Sequence, residues 1–168
     1  MFTDIVDSTP LVVELGDERW LAVLQRHNDI LDSAIRAHRG RVVNRAGDGV
    51  LAAFDQPGSA VASALRVQLD LGQERLATDV PVHVRIGIHW IEILDLGRDL
   101  VGRGVHEAAR VAQCAGTDEI LATAVTLDAA LGSFSAFNLR QIELRGLPQA
   151  MSVASIQPTE KSADRRRF

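Results

Sequence analysis

A chain of 168 residues, 46% hydrophobic and 24% charged, has the composition of one globular domain with its own core. A formal charge of -4 argues against a general nucleic-acid binder, and no apolar run approaches the ~20 residues that span a bilayer. Cys114 is the single cysteine, so no internal disulfide can form; with no charged-then-apolar leader before the first motif, the expected location is cytoplasmic.

Phe2 to Val6 reads as the end of a short buried strand. It begins almost on top of a polar motif, which suggests that the natural protein extends upstream, with room there for a regulatory domain, or that this is a domain cut out of a longer chain. Asp7-Ser8-Thr9-Pro10 has helix-start chemistry, a polar cap followed by proline in the first turn. Leu11, Val12 and Leu15 form an apolar face before Gly16, and a long helix is expected over Asp17–Ala37. Arg41–Ala46 and Val50–Phe54 read as strands joined through Gly47-Asp48-Gly49, a combination suited to a tight hairpin. Gln56-Pro57-Gly58 breaks the chain, and Ser59 to Leu76 is the second long helix.

A strand over Val82–Trp90 is expected to continue through Ile91 to Leu94 as a hairpin, followed by a polar loop from Asp95 to Leu100. Gly104–Ala115 reads as an alanine-rich helix, Glu119–Ala122 as a strand and Thr123–Leu131 as a short helix. Phe134–Arg145 and Met151–Ile156 close the domain as strands. The polar, basic end from Thr159 is expected to be disordered, with Arg165-Arg166-Arg167 a solvated run. The order β-α-β-β-α-β followed by additions predicts an α+β fold: a ferredoxin-like core, one sheet with helices packed on one face, plus C-terminal strands and helices. The domain is expected to occupy 1–157 and the tail 158–168.

Asp4 ends the first strand and Asp48 sits in the hairpin turn. In a ferredoxin-like sheet both arrive at one end, where two carboxylates repel unless a divalent cation lies between them. Spacing alone favours the plainer account, in which Asp4 caps a turn and Asp48 serves the hairpin's turn propensity.

The whole set of motifs alters that balance. Phe2-Thr3-Asp4-Ile5-Val6-Asp7-Ser8-Thr9 closely resembles the first metal motif of class III nucleotidyl cyclases, and Gly47-Asp48-Gly49 resembles the second. Arg85-Ile86-Gly87-Ile88-His89 is similar to their central strand, and Gly102 to Val111 to the helix carrying their transition-state residues. Glu143-Leu144-Arg145-Gly146-Leu147-Pro148 resembles their late phosphate-binding strand. The match covers Met1 to about Ile156, and it is the combination rather than any one motif that is specific.

The resemblance implies an adenylyl cyclase that converts ATP to 3′,5′-cyclic AMP and pyrophosphate with two Mg2+ or Mn2+ ions per site. Asp4 and Asp48 would bind both ions, with the Ile5 carbonyl as a backbone ligand. Amides of Val6, Asp7, Ser8 and Thr9 would cradle the β- and γ-phosphates. Arg110 would neutralise charge on the α-phosphoryl group, and His106, in place of the usual asparagine, would orient the ribose. Arg145 stands where the family has a phosphate-binding lysine. Only Lys161 of the 18 basic residues is lysine, so compositional bias accounts for that exchange. Arg85 is a further phosphate candidate; a charged residue on a sheet edge explains it equally well.

Asp99 matches the aspartate that accepts from the adenine amino group, where guanine would present an acceptor. Its lysine partner is replaced by Asn44, whose amide still donates. The resemblance also implies a homodimer in which one chain supplies the metal aspartates and the other the purine and transition-state residues. On that view Asp4 and Asp48 do not share a pocket with His106 and Arg110 of their own chain. Asn44 and His106 motivate an alternative, a degenerate domain binding nucleotide for regulation. Asp99 disfavours a third, guanylyl cyclase. His89 and Trp90 read as core and interface, Cys114 as helix packing, and His106-Glu107 is no zinc helix because Arg110 occupies the second histidine's place.

Overall fold

The computed structural model describes residues 1–91, 94–95, 100–101, 103–132, 134–143 and 150–159. Its first strand, β1 (Phe2–Ile5), leads into α1 (Ser8–Leu15) and α2 (Asp17–Ala37). The helices are separated at Gly16, whose φ of 75° is open to glycine and strained for any other residue. Then come β2 (Arg41–Ala46), β3 (Gly49–Ala53), α3 (Pro57–Thr78) and β4 (Val84–Ile88). Short strands β5 (Leu94–Asp95) and β6 (Leu100–Val101) form a separate antiparallel pair. The chain continues through α4 (Arg103–Gln113), β7 (Ile120–Thr123), α5 (Ala124–Ala129), β8 (Phe134–Ile142) and β9 (Met151–Pro158).

The main sheet has seven strands in the order β2-β3-β1-β4-β7-β9-β8. Its first four are the ferredoxin-like unit, antiparallel throughout, with β1 held between β3 and β4. β7 joins β4 in parallel and β9 and β8 extend the sheet antiparallel. One face carries Ile5, Val50, Ala52, Val84, Ile86 and Ile88, packed against Leu31 and Ile35 of α2 and Val61, Val67 and Leu71 of α3. Leu31 and Ile35 are fully buried. Each such side chain contributes roughly 1.5–3 kcal/mol, so this face, not helix propensity, holds α2 in place.

The two long helices share one face as expected, but α4 lies on the other. It seats Val111 and Ala115 against Leu121 and Val153 and crosses β4 at Gly87. The approach is possible only because Gly87 has no side chain: a Cβ there would stand 2.3 Å from the Ala112 nitrogen. The strand expected over Val82–Trp90 is shorter at both ends, and the hairpin expected through Leu94 includes residues 92 and 93, which lie outside the described residues. β4 ends at Ile88, and the Trp90 amide donates instead to Thr126 Oγ1 at 2.9 Å. β9 runs to Pro158, past the expected end of the strand at Ile156. Most of the expected tail, 160–168, lies outside the described residues, as do positions 144–149, which hold most of the late strand motif.

Candidate active site

Antiparallel register sets Asp4 directly opposite Arg85 on the neighbouring strand β4. The Arg85 guanidinium donates twice to the same Asp4 oxygen, Oδ2, through Nε at 3.0 Å and through Nη2. β4 is an interior strand, so Arg85 is not the edge residue that would have explained it away. One residue further along β1, the Ile5 amide donates to Asp48 Oδ2 at 3.0 Å. The two aspartates therefore meet at one end of the sheet.

The turn that delivers Asp48 is a two-residue connection between Ala46 and Gly49, with Gly47 in the left-handed region at φ 64°. Gly49 leaves room beside the pair, since a Cβ there would lie 3.8 Å from Asp4 Oδ1. In each carboxylate Oδ2 is held by the chain, and Oδ1 has no hydrogen-bond partner among the described residues. Two anchored carboxylates, each with one open oxygen and a space where a side chain would have stood, suit a hard divalent cation that takes oxygen ligands. No third Asp, Glu, His or Cys side chain joins them among the described residues. Further ligands would have to come from backbone, water or substrate.

The helix start beside this pair differs from expectation in one respect. The Val6 amide donates to the His83 carbonyl at 2.8 Å, so it extends the sheet and cannot cradle a phosphate. Asp7 then turns the chain with φ 52°, and α1 opens at Ser8 with no side-chain cap. The amides of an uncapped first turn point outward with no intrahelical acceptor, which leaves Ser8 and Thr9 suited to an anion.

On the face occupied by α4, a cavity of about 440 Å³ is lined by Asp4, Asn44 and His106, with Phe2, Leu51 and Ala109 among its apolar walls. This corrects the expectation that Asp4 and His106 of one chain stay apart. Strand alternation turns Phe2 and Asp4 toward α4, and Gly87 lets that helix come close enough to bring His106 over them. Asn44 reaches the cavity from β2, just after a register shift between Val42 and Asn44. Its Oδ1 accepts from the Arg45 amide at 2.8 Å, which leaves its NH2 group to donate. Asp48 and Arg110 do not line this cavity. Arg110 lies one turn beyond His106 and is half-buried. Asp99 and Arg145 lie outside the described residues.

Two contributions escaped the sequence reading. Arg85 is the partner of Asp4, which only the register reveals. Glu107 tethers α4: its Oε2 lies 3.1 Å from His89 Nε2, while His89 Nδ1 lies 3.0 Å from Thr123 Oγ1. Burial pulls the His89 pKa below its ordinary value, and the Glu107 carboxylate opposes that shift. His89 is thus a core residue, as read, but one that positions the helix carrying His106.

Residues 1–157 match the family described as the adenylate and guanylate cyclase catalytic domain. The chain is 32% identical over 145 residues to an adenylate cyclase of Lachancea kluyveri, a match covering 71% of this chain and 8% of that protein. It is 34% identical over 91 residues to a putative adenylate cyclase 3 of Rhizobium meliloti, covering 53% of this chain and 16% of that protein. The chain therefore spans well under a fifth of these relatives. Among solved structures it resembles the guanylyl cyclase Cya2, with a TM-score of 0.84 at 21% identity over 95% of this chain and 91% of that one. It also resembles the adenylyl cyclase CyaB from P. aeruginosa, with a TM-score of 0.79 at 18% identity over 95% and 93%. No helix among the described residues is long and apolar enough to cross a membrane. The fold is that of the class III cyclases, and the chain belongs to the adenylate and guanylate cyclase catalytic domain family.

Proposed function

We propose that this domain is an adenylyl cyclase, closing ATP to 3′,5′-cyclic AMP with release of pyrophosphate. The observation that carries the reading is the pair Asp4 and Asp48, anchored through Oδ2 to Arg85 and to the Ile5 amide with their other oxygens open. Two Mg2+ or Mn2+ ions held there would screen the triphosphate and acidify the attacking 3′-hydroxyl. The backbone amides of Asp7, Ser8 and Thr9 at the start of α1 would hold the terminal phosphates, joined by the guanidinium groups of Arg85 and Arg145. His106 would orient the ribose, and Arg110 would neutralise charge growing on the α-phosphoryl group. Asn44 donating to the adenine ring and Asp99 accepting from its amino group would select ATP over GTP. Adenylate cyclase names among the relatives support the first base; the likeness to a guanylyl cyclase structure concerns the fold.

We read the working unit as a homodimer with composite sites, because Asp48 and Arg110 do not face the cavity that Asp4 and His106 share. That cavity favours a second arrangement, a site built within one chain, and the two are separable by mixing mutants. The alternative of a degenerate, regulatory nucleotide-binding domain rests on Asn44 and His106 alone.

The deciding experiment incubates the purified chain with Mn2+ and either ATP or GTP and follows cyclic product. Cyclic AMP from the wild type, lost in Asp4→Ala and in Asp48→Ala with unfolding temperature retained, is the expected result. Asp4 is about a third exposed, so its loss spares the core. Near-normal turnover in either variant, or equal use of the two nucleotides, refutes the assignment.

A further inference from the structure

We propose that Arg85 is a placeholder cation, occupying Asp4 in the nucleotide-free protein and transferring to the triphosphate when a divalent cation claims that carboxylate. The inference rests on the cyclase reading of Asp4 and adds an order of events to it. Asp4 and Arg85 face each other on β1 and β4, two interior strands. Both guanidinium contacts fall on one oxygen, Oδ2. Two N–H donors fill both lone-pair sites of that oxygen, so a cation that is to use Oδ2 has to displace the guanidinium. The displacement is feasible because the pair is not sealed: the side chains of Arg85 and Asp4 are 31% and 35% exposed.

The electrostatics favour a conditional exchange. With Arg85 in place, a free cation meets a carboxylate already neutralised, and the approach is opposed by a fixed positive charge. A cation arriving with a triphosphate brings a new anionic partner for the guanidinium, whose planar fork suits phosphate as well as carboxylate. Cation and nucleotide would then strengthen each other's binding by the same factor. Among the described residues Asp48 has no such guard. Its Oδ2 is held by the Ile5 amide, a neutral donor that need not move.

The test uses the full chain and reads Mn2+ binding by electron paramagnetic resonance, first without nucleotide and then with a non-cyclisable ATP analogue. Titrations are run at about 0.5 M salt, where screening lengths are only a few ångström and a general charge effect fades while a direct contact survives. Arg85→Gln and Arg85→Met should each tighten nucleotide-free Mn2+ on the order of tenfold, the low end for a charged hydrogen-bonded pair that is partly exposed. The same variants should weaken analogue binding in the presence of Mn2+ by a comparable factor. This reversal of sign is what a merely structural ion pair does not produce. Unchanged or weaker nucleotide-free Mn2+ binding in both variants, with Asp4→Asn abolishing it, overturns the placeholder role alone. Mn2+ binding that survives Asp4→Asn overturns the metal role of Asp4 and the placeholder role with it.

Discussion

Substituting Gly87 by alanine tests whether the crossing of α4 over β4 positions the site. A Cβ at Gly87 would stand 2.3 Å from the Ala112 nitrogen, 2.5 Å from its Cα and 2.7 Å from its Cβ. Non-bonded carbon contacts are comfortable at about 3.5–4.0 Å, so α4 must retreat by roughly an ångström or β4 must bend. Overpacking of this kind costs about 1–3 kcal/mol, and the upper end applies because the atoms met are helix backbone. The gain from restricting the unfolded chain, about 0.4–1 kcal/mol for Gly→Ala, does not offset it. For a domain of this size each kcal/mol moves Tm by about 2–4 °C, so a loss of roughly 5–10 °C is expected by calorimetry. Cyclic nucleotide production should fall further than stability does, up to about 100-fold, since displacement by an ångström is enough to misalign His106 and Arg110. Ala112→Gly should rescue little, because it removes only the 2.7 Å contact. An unchanged Tm and full activity in Gly87→Ala would refute the account of how α4 is placed.

Asn44→Lys should sharpen the preference for ATP over GTP by restoring a charged donor, by about tenfold for one contact of 1–3 kcal/mol; kcat/KM for both nucleotides measures it. Co-expressed Asp48→Ala and Arg110→Ala chains should return about a quarter of wild-type activity, because half the dimers are mixed and each holds one intact composite site. Silence, with mixed dimers shown by mass spectrometry, favours the site within one chain. His27 is 2% exposed in α2, and burial depresses its pKa from 6.5 to about 4. A lowered pKa means the unfolded chain takes up the proton first. The neutral imidazole's contribution is therefore complete above pH 6.5 and lost as pH falls toward 4. Urea titrations should show wild type losing roughly 3 kcal/mol relative to His27→Leu across that window, and parallel curves would refute the burial argument.

The long helices were legible because nothing competes with their signals. Asp17 to Ala37 carries its apolar residues at helical spacing behind a glycine that stops α1, and α2 has those bounds. The hairpin was legible for the same local reason, glycine on both sides of Asp48. What failed was anything decided across the sheet. Trp90 and Ile91 extend an apolar pattern that reads as strand, yet the Trp90 amide goes to Thr126, 36 positions away. The Val6 amide looked available for phosphate, but His83 takes it. The face chosen by α4 depends on Gly87, whose role as a contact point is invisible until its partner is known. The pairing of Asp4 with Arg85 follows from register alone, which no spacing rule in one sequence supplies.

The parallel joint between β4 and β7 orders the assembly of this site in time. Everything that frames the two aspartates — β1, β3, β4 and the turn between β2 and β3 — belongs to the first 88 residues and is joined antiparallel. A parallel neighbour cannot follow through a tight turn; it needs a long crossover, and here that crossover carries α4. Chains emerge from the ribosome N-terminus first. The acidic end of the sheet can thus be complete while the helix bearing His106 is still unmade, and closing the loop over it is the slow, high-contact-order step. The cavity between them is a late product of folding, so its closure is the stage at which a destabilised variant would lose the site while keeping the sheet.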